Sequence, residues 1–259
     1  MNAMCRRWLA LLALLAACRG PAQDTTSVVA TLPRGPTLVL PADWRTMSAR
    51  AFELWAGAAL PEDRATPIDN AGMHQLAAAL DAMDLDSVRA AVILGRSRYP
   101  TSATILIRRL ERRTLGPERH SDCGDTLGAA ALARYPDPRR YAQRLVPLAV
   151  GPHPHPDLET RVECAATALY AGFPECIPFL LQVLRIDTPA GLADARDFGV
   201  SPTTAWARGR AAEALSLYAG MPVTYRFDAP LADREREAEQ LADRLLRPAS
   251  GAGAAAGRP

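Results

Sequence analysis

The chain has 259 residues, nearly half of them hydrophobic, enough for one sizeable core or one stack of repeats. Alanine and leucine carry the apolar content and aromatics are few, which favours closely packed helices over a sheet. All 30 basic residues are arginine, so any mechanism that needs a catalytic lysine, a Schiff base or a phosphate-loop lysine is excluded.

In chain order, Arg6 and Arg7 form a positive start and Trp8 to Ala16 an apolar run too short to span a bilayer as a mature helix. The Leu15-Ala16-Ala17-Cys18 ending resembles the lipobox of bacterial lipoproteins. That resemblance implies a signal peptide over residues 1–17, acylation of Cys18 and attachment to a bacterial membrane. In a Gram-negative cell, Arg19 after the cysteine implies the periplasmic face of the outer membrane. Cleavage there removes Arg6 and Arg7 and leaves 28 arginines against 28 acids. A neutral mature chain lacks the long-range attraction to phosphate backbones, so no nucleic-acid partner is expected.

Residues 18–43 are polar and broken by proline, and read as a flexible tether. A helix is expected after Asp43 with Met47, Ala51, Leu54 and Trp55 inward, and a second after the turn at Pro67 to Asn70 with Met73, Leu76, Ala77 and Leu80 inward. A period then sets in. Ala90-Ala91-Val92-Ile93-Leu94, Gly128 to Leu132, Ala165 to Leu169 and Ala211 to Leu215 recur at spacings of 38, 37 and 46 residues. Tyr99-Pro100, Tyr135-Pro136 and Phe173-Pro174 each close the first helix of a copy, and proline suits the first turn of the next. Alanines let first helices approach one another while leucines of the second helices fill the layer behind, so stability must come from neighbour on neighbour.

Asp86, Val88-Arg89 and Ala91, and then Asp157, Arg161-Val162, Ala165, Leu169, Gly172, Pro174, Ile177-Pro178 and Leu180, resemble the HEAT or HEAT-like (PBS-lyase) repeat. The resemblance covers Asp86 to about Gly220. It departs at Asp125, whose copy lacks the arginine, at Arg161-Val162, which reverses the order, and at Phe173, where the pattern has aspartate. It implies an all-α solenoid of antiparallel helical hairpins over residues 44–247 that presents surfaces to protein partners. An insertion from Asp187 to Thr204 delays the last copy, and Asp187, Asp194, Arg196 and Asp197 there are candidate partner contacts or part of a solvated spacer. Leu231 to Leu246 reads as a capping helix with Ala238, Leu241, Ala242 and Leu245 on one narrow apolar face, followed by a disordered tail over residues 248–259.

Two chemical constellations stand out. His120 and Cys123 lie in one inter-repeat link and His153 and His155 in the next; links of a solenoid share an edge, so these groups could converge on zinc or copper, or could line a solvated, proline-stiffened loop. Arg108, Arg109, Arg112 and Arg113 form a basic run near the end of one second helix, either a solvated face or a contact for an acidic partner or anionic lipid. Cys123, Cys164 and Cys176 are mismatched along their helices and are expected as free thiols. No catalytic signature such as Gly-x-Ser-x-Gly, His-Glu-x-x-His or Cys-x-x-Cys occurs. The expectation is a lipid-anchored envelope scaffold, non-catalytic and without a cofactor, with a metal-binding protein or metal-dependent enzyme as the alternative.

Overall fold

A computed structural model describes residues 32–82, 84–114, 123–185, 202–226 and 229–246, all within the compact unit Thr31–Ala252. The fold of these residues is all-α: α1 (Ala49–Ala59), α2 (Asn70–Leu80), α3 (Leu85–Ser97), α4 (Pro100–Thr114), α5 (Cys123–Ala131), α6 (Pro138–Val150), α7 (Leu158–Tyr170), α8 (Ile177–Leu184), α9 (Pro202–Tyr218) and α10 (Leu231–Leu246). Short 3-10 turns at Leu132–Arg134 and Pro174–Cys176 lead out of α5 and into α8. Residues 1–31, 115–122, 186–201 and 247–259 lie outside this description, and with them the expected signal segment, Cys18, His120, most of the insertion and the tail.

Helix starts follow from local chemistry. Ser48, Asp69, Asp84, Asp137 and Asp157 each accept a backbone N–H of the following first turn, removing one of the donors a helix start leaves unpaired. Helix α3 ends where Arg98 takes a left-handed backbone, φ 50°, and Gly172, φ 87°, turns the chain out of α7. Across the four aligned segments, Leu94, Leu132, Leu169 and Leu215 are all buried, as are Ala90, Ala91, Ala129, Ala165, Ala166, Ala211 and Ala212. Small residues set the helix spacing. A Cβ added at Gly95 of α3 would fall 2.5 Å from the Ala131 Cβ of α5.

Contacts between helices alternate along the chain. Helices α3, α5, α7 and α9 each pack on the next of that series, and so do α2, α4 and α6; α8 packs on α10. Each first helix also packs on the second helix before it, α2 on α3, α4 on α5, α6 on α7 and α8 on α9. One continuous core of leucine, isoleucine, valine and alanine runs through both sets.

The N-terminal side departs from expectation twice. Part of the expected tether is packed: Gly35 and Leu38 donate to the carbonyls of Ala65 and Pro67, while Ala65 and Asp69 donate back to Pro33 and Leu38. Helix α1 is also rotated. It buries Phe52 and Ala56, half-buries Trp55, and leaves Ala51 exposed and Leu54 66% exposed, while Met47, half-buried, precedes the helix. The cause is Arg89, whose guanidinium stands 5.3 Å over the Phe52 ring and donates to the carbonyls of Trp44, Arg45 and Met47 just ahead of α1. In α2 the expected face holds, with Leu76 and Leu80 buried and Met73 and Ala77 half-buried.

Candidate functional site: the charged joints and the outer arginines

The basic run on α4 divides by helical position. Arg108 and Arg112 are exposed, and the Arg113 side chain lies outside the described residues. Arg109 is a correction to the solvated-face reading, because it turns inward and is buried. Its Nε donates to Asp125 Oδ1 of α5 at 3.1 Å and a terminal nitrogen donates to Asp81 Oδ1, after α2, at 2.7 Å. Arg112 reaches the same Asp81 oxygen at 3.3 Å from the solvent side. Asp125, in the copy that departs from the repeat pattern by lacking an arginine, thus receives one from the preceding helix.

The other Asp125 oxygen faces His155 Nε2 at 3.7 Å, beyond hydrogen-bond length. Both residues are only 2% exposed. The His155 backbone N–H donates to Leu148 O at 2.8 Å, and Nδ1 accepts the Asp157 N–H at 3.2 Å, which assigns the imidazole proton to Nε2, toward Asp125. Asp157 in turn accepts the N–H and hydroxyl of Thr160 at the start of α7, and Thr160 meets the Thr126 hydroxyl of α5 at 3.1 Å. Burial works to raise the pKa of the Asp125 carboxyl, but His155 and Arg109 together hold it below the usual carboxylate range.

A second joint ties α7 to α9. Arg210 makes a two-pronged contact with Glu163, 2.6 and 3.1 Å, and adds Glu213 at 2.7 Å and the Tyr170 hydroxyl at 3.3 Å. Burial penalises the Arg210 cation, yet Glu163 beside it more than offsets this and raises its pKa. A third arginine, Arg161, donates twice to Ala149 O, the last turn of α6, and lies 4.4 Å over the Phe179 ring. These guanidiniums close helix ends and cross from one helix to the next. Their chemistry is cohesion: they are held by carboxylates and carbonyls of the same chain.

Of the four residues considered for a metal, three are described, Cys123, His153 and His155. His153 is exposed while His155, two residues on, is buried against Asp125, because the bonds of its backbone to Leu148 and of its ring to Asp157 draw it inward. Cys123 is half-buried at the first turn of α5, and His120 is outside the description. No group of three His, Cys, Asp or Glu side chains with a metal-holding arrangement occurs among the described residues. Cys164 and Cys176 are free, buried thiols. Burial raises the pKa of both, that of Cys176 to about 12, which makes them poor nucleophiles.

Sequence reasoning passed over Asp81, Asp125, Glu163 and Arg210. The available signal was a charge inside an alanine-rich helix, such as Glu163 set directly between Val162 and Cys164. Asp187, Asp194, Arg196 and Asp197 lie outside the described residues. No family model, no curated protein and no solved structure matches this chain.

Proposed function

We propose that the chain is a lipid-anchored scaffold of a bacterial cell envelope, built as a HEAT-like α-solenoid and binding protein through the surface of its second helices. The observation that carries this reading is the order of helix packing, in which like positions of successive pairs touch, α3 to α5 to α7 to α9 and α2 to α4 to α6. An array of this kind presents a long continuous surface, and such arrays mostly serve as platforms for partners. The buried charges support a platform role, since Arg109, Arg161 and Arg210 hold one pair to the next. The anchor part rests on Leu15 to Cys18.

Two measurements test the two parts. In cells fed an alkyne palmitate, the protein acquires the label and sediments with membranes, whereas the Cys18→Ser variant does neither; a labelled or membrane-bound variant removes the anchor reading. For the platform, a photo-crosslinking residue is placed at exposed His74 of α2 or Gln182 of α8. A discrete protein adduct at a fixed mass is expected from these sites, and none from the exposed Glu53 of α1. Adduct formation without preference for the second helices overturns the assignment of the surface.

A further inference from the structure

Two neighbouring second helices turn arginines outward on adjoining surfaces. Arg108 and Arg112 leave α4, and Arg139, Arg140 and Arg144 leave α6, all exposed. The helices are laced by Arg144, which donates to both Glu111 oxygens at 2.9 and 2.6 Å. They run in the same sense, because Tyr135, just before α6, donates its hydroxyl to Leu94 O, shortly before α4, at 2.7 Å. One turn back from the Glu111–Arg144 pair therefore stand Arg108 on one helix and Arg140 on the other.

The carboxylates of this face are already engaged. Glu111 is taken by Arg144, Asp81 by Arg109 and Arg112, and Asp137 caps α6. Arg108, Arg139 and Arg140 have no carboxylate within 4 Å among the described residues. Arg139 lies 5.7 Å over the Phe173 ring and Arg140 6.0 Å over Tyr141, contacts that leave the guanidinium charge uncompensated. In a chain with a formal charge of only +2, this is segregation of charge onto one face rather than a general excess.

We infer that this arginine face docks on the anionic phospholipid headgroups of the bilayer that holds the chain, an inference that rests on the proposed anchor at Cys18. Guanidinium matches phosphate oxygens in two-pronged fashion. Cys18 and Pro33, the first residue paired to the folded unit, are 15 positions apart, a length that spans at most about 50 Å. Within that reach the tether supplies the effective concentration and the arginines the orientation. Three uncompensated arginines at an anionic surface are worth roughly 100-fold in the docked population.

The test uses the full acylated protein as purified from membranes, carrying Cys123→Ser and Gln143→Cys with an environment-sensitive fluorophore on the new thiol, and vesicles with a headgroup-level quencher. Flotation with vesicles of phosphatidylcholine alone reports the anchor. Quenching is expected to rise several-fold when 30 mol% phosphatidylglycerol is included, to fall back in high salt, and to vanish in the Arg108→Glu, Arg139→Glu, Arg140→Glu variant, which still floats. Failure to float on phosphatidylcholine removes the anchor reading. Normal flotation with quenching that ignores phosphatidylglycerol or survives charge reversal overturns the docking. A fluorescence change with polyglutamate and none with phosphatidylglycerol would overturn it too, in favour of an acidic protein.

Discussion

The Arg210–Glu163 joint and the Arg109–Asp125–His155 joint hold successive helices with the same kinds of atoms, yet they differ in how closed they are. Arg210 and Glu163 meet through both prongs and are buried together, with Glu213 and Tyr170 completing the shell. Arg109 divides its donors between buried Asp125 and half-exposed Asp81, and the second Asp125 oxygen faces the His155 imidazole at 3.7 Å. A closed buried pair leaves a stranded charge when one half is removed. An open network passes part of the loss to solvent and to its other members.

Substitutions can sharpen or break that contrast. Glu163→Gln leaves the Arg210 cation in the interior without its main partner, and a loss of about 3–5 kcal/mol in denaturant unfolding is expected. The double variant Glu163→Leu, Arg210→Met should recover most of it, because apolar residues of similar volume carry no stranded charge. If the double variant is as unstable as the single one, the joint specifies packing and not merely charge balance.

Asp125→Asn should cost about half as much, roughly 2 kcal/mol, since Arg109 keeps Asp81 near solvent. This joint also has a pH signature. A carboxyl held below its unfolded pKa stabilises the fold above that value, and the contribution is lost as pH falls through the folded one. Thermal melts of the parent chain from pH 5 down to pH 2 should therefore lose more stability than those of Asp125→Asn; parallel curves would remove Asp125 as the acid-sensitive group.

Smaller effects lie away from the charges. Gly95→Val forces side-chain atoms into the α3–α5 approach at Ala131 and should cost about 1–3 kcal/mol. Asp157→Ala removes the cap of α7 and should cost about 1 kcal/mol, read as a lower midpoint in the same titration. Both belong to the cohesion that the two joints share, so neither should alter the double-variant result at Glu163 and Arg210.

The helix pairs were legible because their signals are local and periodic. The alanine-alanine segments predict the buried leucines at 94, 132, 169 and 215, and of the acidic starts Asp157 caps the helix that follows, whereas Asp84 takes that place ahead of Asp86. The α1 face was not legible. Its apolar residues point several ways, and the choice of Phe52 over Leu54 is made by Arg89, which lies far along the chain. Arg109 was misread for a similar reason: a run of arginines gives no hint that one faces an aspartate on the next helix. Of the two histidines in one link only His155 is buried, because residues of a bent link carry no fixed periodicity and a single ring hydrogen bond draws one of them inward.

The pairing of residues 33–38 with 65–69 has a mechanical consequence. Gly35, Leu38, Ala65 and Asp69 make four backbone bonds between segments that run in the same direction. Tension applied on the N-terminal side of Pro33 along that direction loads those bonds together, in shear, instead of peeling them one at a time. The segment leading to the link between α1 and α2 then acts as a grip, and a pull reaches the helices through the Asp69 cap of α2 before it can unwind α1.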